Sequence, residues 1–292
     1  MSAYTPLGES PTVVLADIAF GADPGRAAGE LPSAPDVLGR WYRAVALCGQ
    51  GRYAAARVEV QKVYDHTADP VLRSLAESTE GSILRQLGWH RRAAAFDGRA
   101  AAVILGTDTA TSGVRGVEIS NTRQSYVPDA ADALCDALTG LAADALGAGR
   151  FSMASRLLRR ATATLPHGGS WRPEIRLQWV FAETAMATGD FRAACEHAAV
   201  AAQRAESAPS VRHQVKSRLL VAATAAAAGA RERSDTVAAE VSVQCREYGL
   251  LPLQWACAML RAGLGVETAT QEAAECAAIL ARRGGMLRPL GA

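Results

Sequence analysis

The 292-residue chain is 49% hydrophobic but only 5% aromatic, because 62 of its residues are alanine. Charged residues make up 21%, which excludes wholesale disorder, and the scarcity of β-branched and aromatic residues argues against a large β-sheet. A net charge of +2 provides no concentrated positive field for nucleic acid or an anionic membrane, so neither is an expected partner.

The first predicted element is a flexible arm over residues 1–36. Five prolines and four glycines interrupt this range, and a helix cannot run through so many breakers. Val13 to Phe20 could still lie against the body as a short strand or helix. No basic segment precedes an apolar run as in a secretory signal. The longest apolar run, Leu219 to Ala230, is too short to cross a bilayer, so we expect a cytoplasmic protein.

A repeated phrase organises residues 37–281. In its clearest form a helical stretch ends in Gly, an aromatic residue follows within two positions, and a small residue lies five after the Gly. The spacings between the copies are 37, 61, 40, 40 and 36 residues. The four clear copies and two weaker ones are Gly51-Arg52-Tyr53 with Ala56, Gly88-Trp89-His90 with Ala93, Gly149-Arg150-Phe151 with Ala154, Gly189-Asp190-Phe191 with Ala194, Gly229 with Ser234, and Gly265 with Thr270.

Each part of the phrase has a physical role in a helical hairpin. The Gly ends the first helix in the left-handed conformation without a steric penalty. We expect the aromatic side chain to plug the corner, and the small residue to let the second helix approach the first. One such pair cannot bury its apolar face alone, so successive pairs are expected to stack.

The phrase resembles the tetratricopeptide repeat family, and the likeness covers about residues 37–281. The best copy, 135–168, has Leu141, Ala142, Phe151, Leu158 and Pro166 at the large, small, aromatic and closing positions of that family. The resemblance implies an all-α, right-handed superhelical solenoid of about six antiparallel helix pairs. The Ala- and Arg-rich composition is typical of a GC-rich, actinobacterial genome.

One interval between copies exceeds the others by roughly 23 residues, and we assign the excess to an inserted loop over about 106–128. The loop is rich in Thr, Ser and Gly and has no helical stripe. It is either a disordered excursion on the surface or a functional loop. Its candidate binding residues are Arg115, Asn121, Arg123 and Tyr126. Residues 282–292 are predicted to be a flexible tail.

No catalytic constellation stands out, so we predict a protein that is not an enzyme and needs no cofactor or metal. The six cysteines form no C-x-x-C pair and fit buried, reduced side chains. The five histidines lack helical metal spacing, and Cys195-Glu196-His197 cannot converge on one ion. No phosphate-binding glycine motif occurs.

The acidic residues allow two interpretations. Asp129 and Asp132 are near a predicted helix start, where the macrodipole favours negative charge. The alternative is an acidic patch, including Asp136 and Asp144, for a basic partner or an arginine of the loop. Asp97 occupies a position that the repeat reserves for a large apolar residue. Either Phe96 takes that role, which we favour, or Asp97 is half-buried and paired.

The resemblance also implies that the first helix of each pair lines a concave groove. Trp, Met and Arg are the side chains expected where a partner docks, although the tryptophans could equally pack between repeats. The projected partner-binding residues are Trp41, Arg85, Gln86, Asp136, Thr139, Arg176, Trp179, Glu183, Met186, Lys216, Trp255 and Met259.

We therefore expect a non-catalytic scaffold or adaptor that holds a peptide or helix of another protein in this groove. The alternative is a small-ligand-sensing or regulatory module of the same repeat type, which would require a closed pocket. Enzymatic activity is the least supported hypothesis.

Overall fold

A computed structural model describes residues 9–107, 126–166 and 169–289. Within these ranges the chain is all-α, as predicted, with thirteen α-helices, one 3-10 turn at Ala28–Glu30 and no strand. The helices are α1 (Pro11–Phe20), α2 (Val37–Gly49), α3 (Tyr53–His66), α4 (Pro70–Gln86), α5 (His90–Leu105), α6 (Ala130–Gly147), α7 (Phe151–Thr162), α8 (Trp171–Ala187), α9 (Phe191–Glu206), α10 (Val211–Ala227), α11 (Arg231–Glu247), α12 (Leu251–Gly263) and α13 (Glu267–Arg282).

From α2 onward, the helices pack mainly against their neighbours in the chain, and the even-numbered ones also touch each other. Each of α2, α4, α6, α8 and α10 contacts the next even-numbered helix. We call these helices, together with α12, the inner helices, and we call the odd-numbered helices α3 to α13 the outer helices.

Glycine marks each corner between an inner helix and the outer helix that follows. All six glycines of the repeated phrase have a positive φ, between 71° and 86°. In every case the inner helix ends two residues before the glycine and the outer helix begins two residues after it. These φ values confirm the predicted left-handed helix endings. Glycine occupies these positions because it adopts this conformation without a Cβ clash.

The predicted close approach is confirmed in five copies, whereas the aromatic corner is wrong in two. Ala56, Ala93, Ala154, Ala194 and Ser234 are all fully buried between paired helices. In the last copy Ala269 is buried instead of the predicted Thr270. Tyr53 is buried at its corner, but the side chains of Phe151 and Phe191 are 39% and 42% exposed.

Substituting the corner Gly189 tests this backbone requirement, because a Cβ there meets nothing within 4 Å. We expect Gly189→Ala to lower the free energy of unfolding by about 1–2 kcal/mol, from the left-handed backbone alone. Gly98→Ala is the matched control, since it adds the same methyl group in open space within α5. It should stabilise the protein by about 0.5–1 kcal/mol. Equal effects of the two changes in urea denaturation would contradict this account.

The flexible arm predicted for residues 1–36 does not hold for Pro11–Phe20, which forms α1, and the alternative that Val13 to Phe20 lies against the body as a short helix is confirmed. Leu15, Ile18 and Phe20 are at most 3% exposed and belong to the largest hydrophobic cluster. The Phe20 ring lies 5.2 to 6.3 Å from the rings of Trp41, Tyr42, Tyr126 and His213. The prolines that suggested an arm include Pro11 in the first turn of α1, where the missing N–H costs nothing.

The flexible tail over 282–292 is also a wrong prediction for residues 283–288, which return to the first two helix pairs. The amide of Ala54 donates to the carbonyl of Arg283 at 3.0 Å, and the indole of Trp89 donates to the carbonyl of Met286 at 2.9 Å. Leu280 of α13 belongs to the same hydrophobic cluster as Tyr53. The last helix pair is therefore in contact with the first.

Candidate functional site

A partly enclosed cavity of about 570 Å³ lies among the inner helices. Side chains from α2, α4, α6, α8, α10 and α12 line most of it, together with Tyr53 of α3, His90 of α5 and Leu280 of α13. Trp41, Arg172 and His213 line one part of it, and each of these three lies against the Phe20 ring of α1. The docked α1 thus supports this part of the cavity wall.

Ten of the twelve projected groove residues line this single cavity. The two exceptions are Met186, which packs near Ala182 and Leu220, and Met259, which is 40% exposed. The ten that are brought together are Trp41, Arg85, Gln86, Asp136, Thr139, Arg176, Trp179, Glu183, Lys216 and Trp255.

Of the four candidate residues in the inserted loop, only one is described. Arg115, Asn121 and Arg123 lie outside the described residues. Tyr126 is 7% exposed, and its hydroxyl donates to Oδ2 of Asp132 at 3.0 Å. Its position is structural, inside the aromatic cluster around Phe20.

The alternative interpretation of an acidic patch on α6 is wrong, because Asp132, Asp136 and Asp144 are buried and have hydrogen-bond or ion-pair partners within the chain. Asp136 is 2% exposed and accepts hydrogen bonds from Arg172 at 2.5 Å and from Arg176 at 2.9 Å. Burial alone would raise the pKa of Asp136, but the two arginines outweigh it and hold the pKa below its ordinary value. Asp129 caps α6 by accepting from the amide of Asp132, as the helix-start interpretation predicted.

Asp97 is fully buried and paired, so the favoured explanation based on Phe96 is wrong. Its Oδ2 accepts from Arg85 at 2.6 Å, and Arg85 also donates to Asp144 at 2.9 Å. A Cβ on Gly81 or Gly140 would lie 2.5 to 2.7 Å from the Asp97 carboxylate. The absence of a side chain at these two glycines makes room for the carboxylate between α4 and α6.

Burial raises the pKa of Asp97 to about 7, despite the opposing effect of Arg85. In the unfolded chain an aspartate titrates near 4, so between these values only the folded state holds the proton. Stability therefore falls as the pH rises from about 4 to about 7. Asp97→Asn removes this dependence on pH. Between about pH 5 and pH 7.5 the free energy of unfolding of the variant should therefore rise by about 1 kcal/mol or more relative to that of the wild type. Urea denaturation measures the two stabilities at each pH. If the free energies of unfolding of the wild type and the variant change with pH in parallel, the expectation is contradicted.

The sequence prediction missed several polar or positively charged residues of the cavity wall, among them Arg172, Arg212 and His213. Arg172 lies four residues before Arg176, and Arg212 lies four before Lys216. Residues four apart share a helix face, so this spacing could have identified both arginines. His213 is 1% exposed, and burial, followed by the charges of Arg212 and Arg172, keeps its pKa well below the ordinary value. His213 is therefore neutral at physiological pH.

The aromatic part of the wall is held in place by hydrogen bonds and stacking. The indole of Trp179 donates to Oγ of Ser217 at 2.8 Å, and its ring stacks on His213 with centroids 5.2 Å apart. The ammonium of Lys216 lies 5.8 Å from the Trp179 ring and 3.0 Å from Oε1 of Glu183. These contacts fix the direction in which Trp179 faces the cavity.

A metal-binding cluster, a disulfide and a membrane-spanning helix are all absent from the described residues. No group of three or more His, Cys, Asp and Glu gathers there in an arrangement that could hold a metal ion. All six cysteines are unbonded thiols, five of them buried. None of the described helices combines the length and apolar character needed to cross a membrane.

No family model matches the chain, and no curated protein matches it either.

Proposed function

We propose that this chain is a tetratricopeptide-like solenoid of six antiparallel helix pairs, closed on itself, that binds a small ligand without turnover in its central cavity. The observation that carries the proposal is the return of α13 and the tail to the first pair. This contact converts an open groove into a partly enclosed cavity of about 570 Å³.

The size of the cavity favours a small molecule over a partner helix. Ligand pockets for small molecules have volumes of about 300–1,000 Å³, and their walls are mainly apolar with a few polar groups. A helix with its side chains is about 10 Å across, so a partner helix would require the contacts between the tail and the first pair to open. The binding of a peptide or helix therefore becomes the second interpretation, and the ligand-sensing alternative becomes the first.

A melting screen of the full chain against small molecules tests the proposal. A ligand at a hundredfold excess over its Kd adds about 2.7 kcal/mol to the stability of the folded state, which raises the melting temperature by about 5 °C. Ala256→Trp places an indole in the cavity, because Ala256 is part of its wall. We expect the shift in the wild type and its loss in Ala256→Trp.

The matched control is Val243→Trp, which adds a large ring to an exposed position on the outer helix α11. This variant should respond to the ligand like the wild type. A ligand that shifts all three proteins equally does not occupy the cavity, and that result would contradict the proposed function.

A further inference from the structure

Arg212 lines the cavity with its charge uncompensated. Its guanidinium donates one long hydrogen bond, 3.4 Å, to the carbonyl of Val45. Within the described ranges, no carboxylate lies within 4.0 Å of it. A Cβ on Gly49 would lie 3.1 Å from Cδ and from a terminal nitrogen of Arg212, so the glycine gives the side chain space to lie across the end of α2.

Two neighbouring arginines add to this positive charge. Arg172 and Arg176 share the single carboxylate of Asp136, so three guanidinium groups on this side of the cavity face one acid. Burial, together with repulsion from Arg172 and Arg176, lowers the pKa of Arg212 to about 10. Arg212 is half-buried and has no acidic partner among the described residues, so a counter-charge from outside the chain would be stabilised here.

The remaining charges that line the cavity are already balanced. Lys216 pairs with Glu183 at 3.0 Å, and Arg85 is shared by Asp97 and Asp144. An anion that enters the cavity is therefore attracted to the side formed by Arg212, Arg176 and Arg172.

The wall around these arginines is aromatic and apolar. Trp41, Trp179 and Trp255 line the same cavity as Arg212, and Val45 and Leu75 contribute aliphatic surface. A planar apolar body can pack against such rings, while a guanidinium presents paired N–H donors to an oxyanion.

We propose that the ligand of this cavity is a small organic anion with an apolar or aromatic body, whose oxyanion group is bound by Arg212. This inference rests on the proposed function and adds the chemical class of the ligand. Carboxylate and phosphate groups share the recognition chemistry, because both accept two parallel hydrogen bonds from arginine.

Two fluorescent probes that differ in one group separate charge recognition from cavity binding. They are 1-anilinonaphthalene-8-sulfonate, whose sulfonate stands in for the oxyanion, and N-phenyl-1-naphthylamine, which has the same aromatic body without the charge. We expect Arg212→Gln to raise the Kd of the sulfonate about tenfold or more and to leave the Kd of the neutral probe within about twofold. Arg212→Lys should give an intermediate increase in the Kd of the sulfonate, because lysine keeps the positive charge but lacks the planar guanidinium that donates two parallel hydrogen bonds.

The control is Arg218→Gln, on the same helix α10 but outside the cavity wall, which should change neither Kd. A variant that fails to fold would lose the neutral probe as well, which distinguishes unfolding from the loss of anion binding. Equal changes for both probes in folded Arg212→Gln, or none, would overturn the inference while leaving the cavity proposal standing. Saturable binding of neither probe to the wild type would overturn the proposed function itself.

Competition at the same site identifies the oxyanion. Benzoate and phenyl phosphate are expected to displace the sulfonate probe, and benzyl alcohol of similar size is not. Preference for one of the two anions assigns the ligand to carboxylates or to phosphate esters. Displacement by the alcohol as effectively as by both anions would contradict recognition of charge.

Discussion

Asp136→Ala is expected to destabilise the protein by about 3–5 kcal/mol in urea denaturation. The carboxylate is 2% exposed and is the shared partner of Arg172 and Arg176. Its removal leaves two guanidinium groups in a low-dielectric environment next to a third, Arg212, and breaking a buried pair from one side carries a penalty of this size.

A second aspartate provides the matched control for this change. Asp190 is exposed and caps α9 by accepting from the amide of Ala193 at 3.0 Å. The loss of a helix cap costs about 1 kcal/mol. If Asp136→Ala and Asp190→Ala destabilise the protein equally, the charge network of the cavity wall is not the buried, interdependent cluster described above.

Phe20→Ala is expected to cost about 3–5 kcal/mol, because it empties a fully packed site. The ring is 3% exposed and contacts Trp41, Tyr42, Tyr126 and His213, and the guanidinium of Arg172 lies 5.1 Å from its centroid. Since Trp41 and Arg172 line the cavity, the change should also weaken binding of the neutral probe.

Phe191→Ala is the control, because Phe191 is a phenylalanine of the same chain that is 42% exposed. Its replacement should cost about 1 kcal/mol or less, since surface changes have small effects. A Phe20→Ala variant as stable as Phe191→Ala would mean that α1 does not pack against the rest of the chain.

The local part of the architecture could be predicted because it depends on residues close in the chain. Gly149 and Gly189 end helices through their own backbone freedom, and Ala154 and Ala194 allow close approach five residues later. The docking of α1 and of the tail depends on partners far away in the chain, such as Phe20 with Tyr126 and Ala54 with Arg283. No local pattern encodes such pairings.

The composition of the cavity wall was predictable where the helix register was known. The inner face was projected from the repeat phrase, and Arg176 and Lys216 were placed on it. Arg172 and Arg212 share that face one turn earlier but belong to the first turns of α8 and α10, where the register is hardest to assign. The sequence left two explanations of Asp97 open, because the space for its buried carboxylate depends on Gly81 and Gly140, which lie on two other helices.

Titration of the full chain with N-phenyl-1-naphthylamine, followed by fluorescence, tests the central claim most directly. We expect one saturable site per chain in the wild type and in Val243→Trp, and no site in Ala256→Trp. Unsaturable fluorescence in the wild type with both this probe and the sulfonate probe, or an unchanged Kd in folded Ala256→Trp, would show that the cavity among the inner helices is not a ligand site.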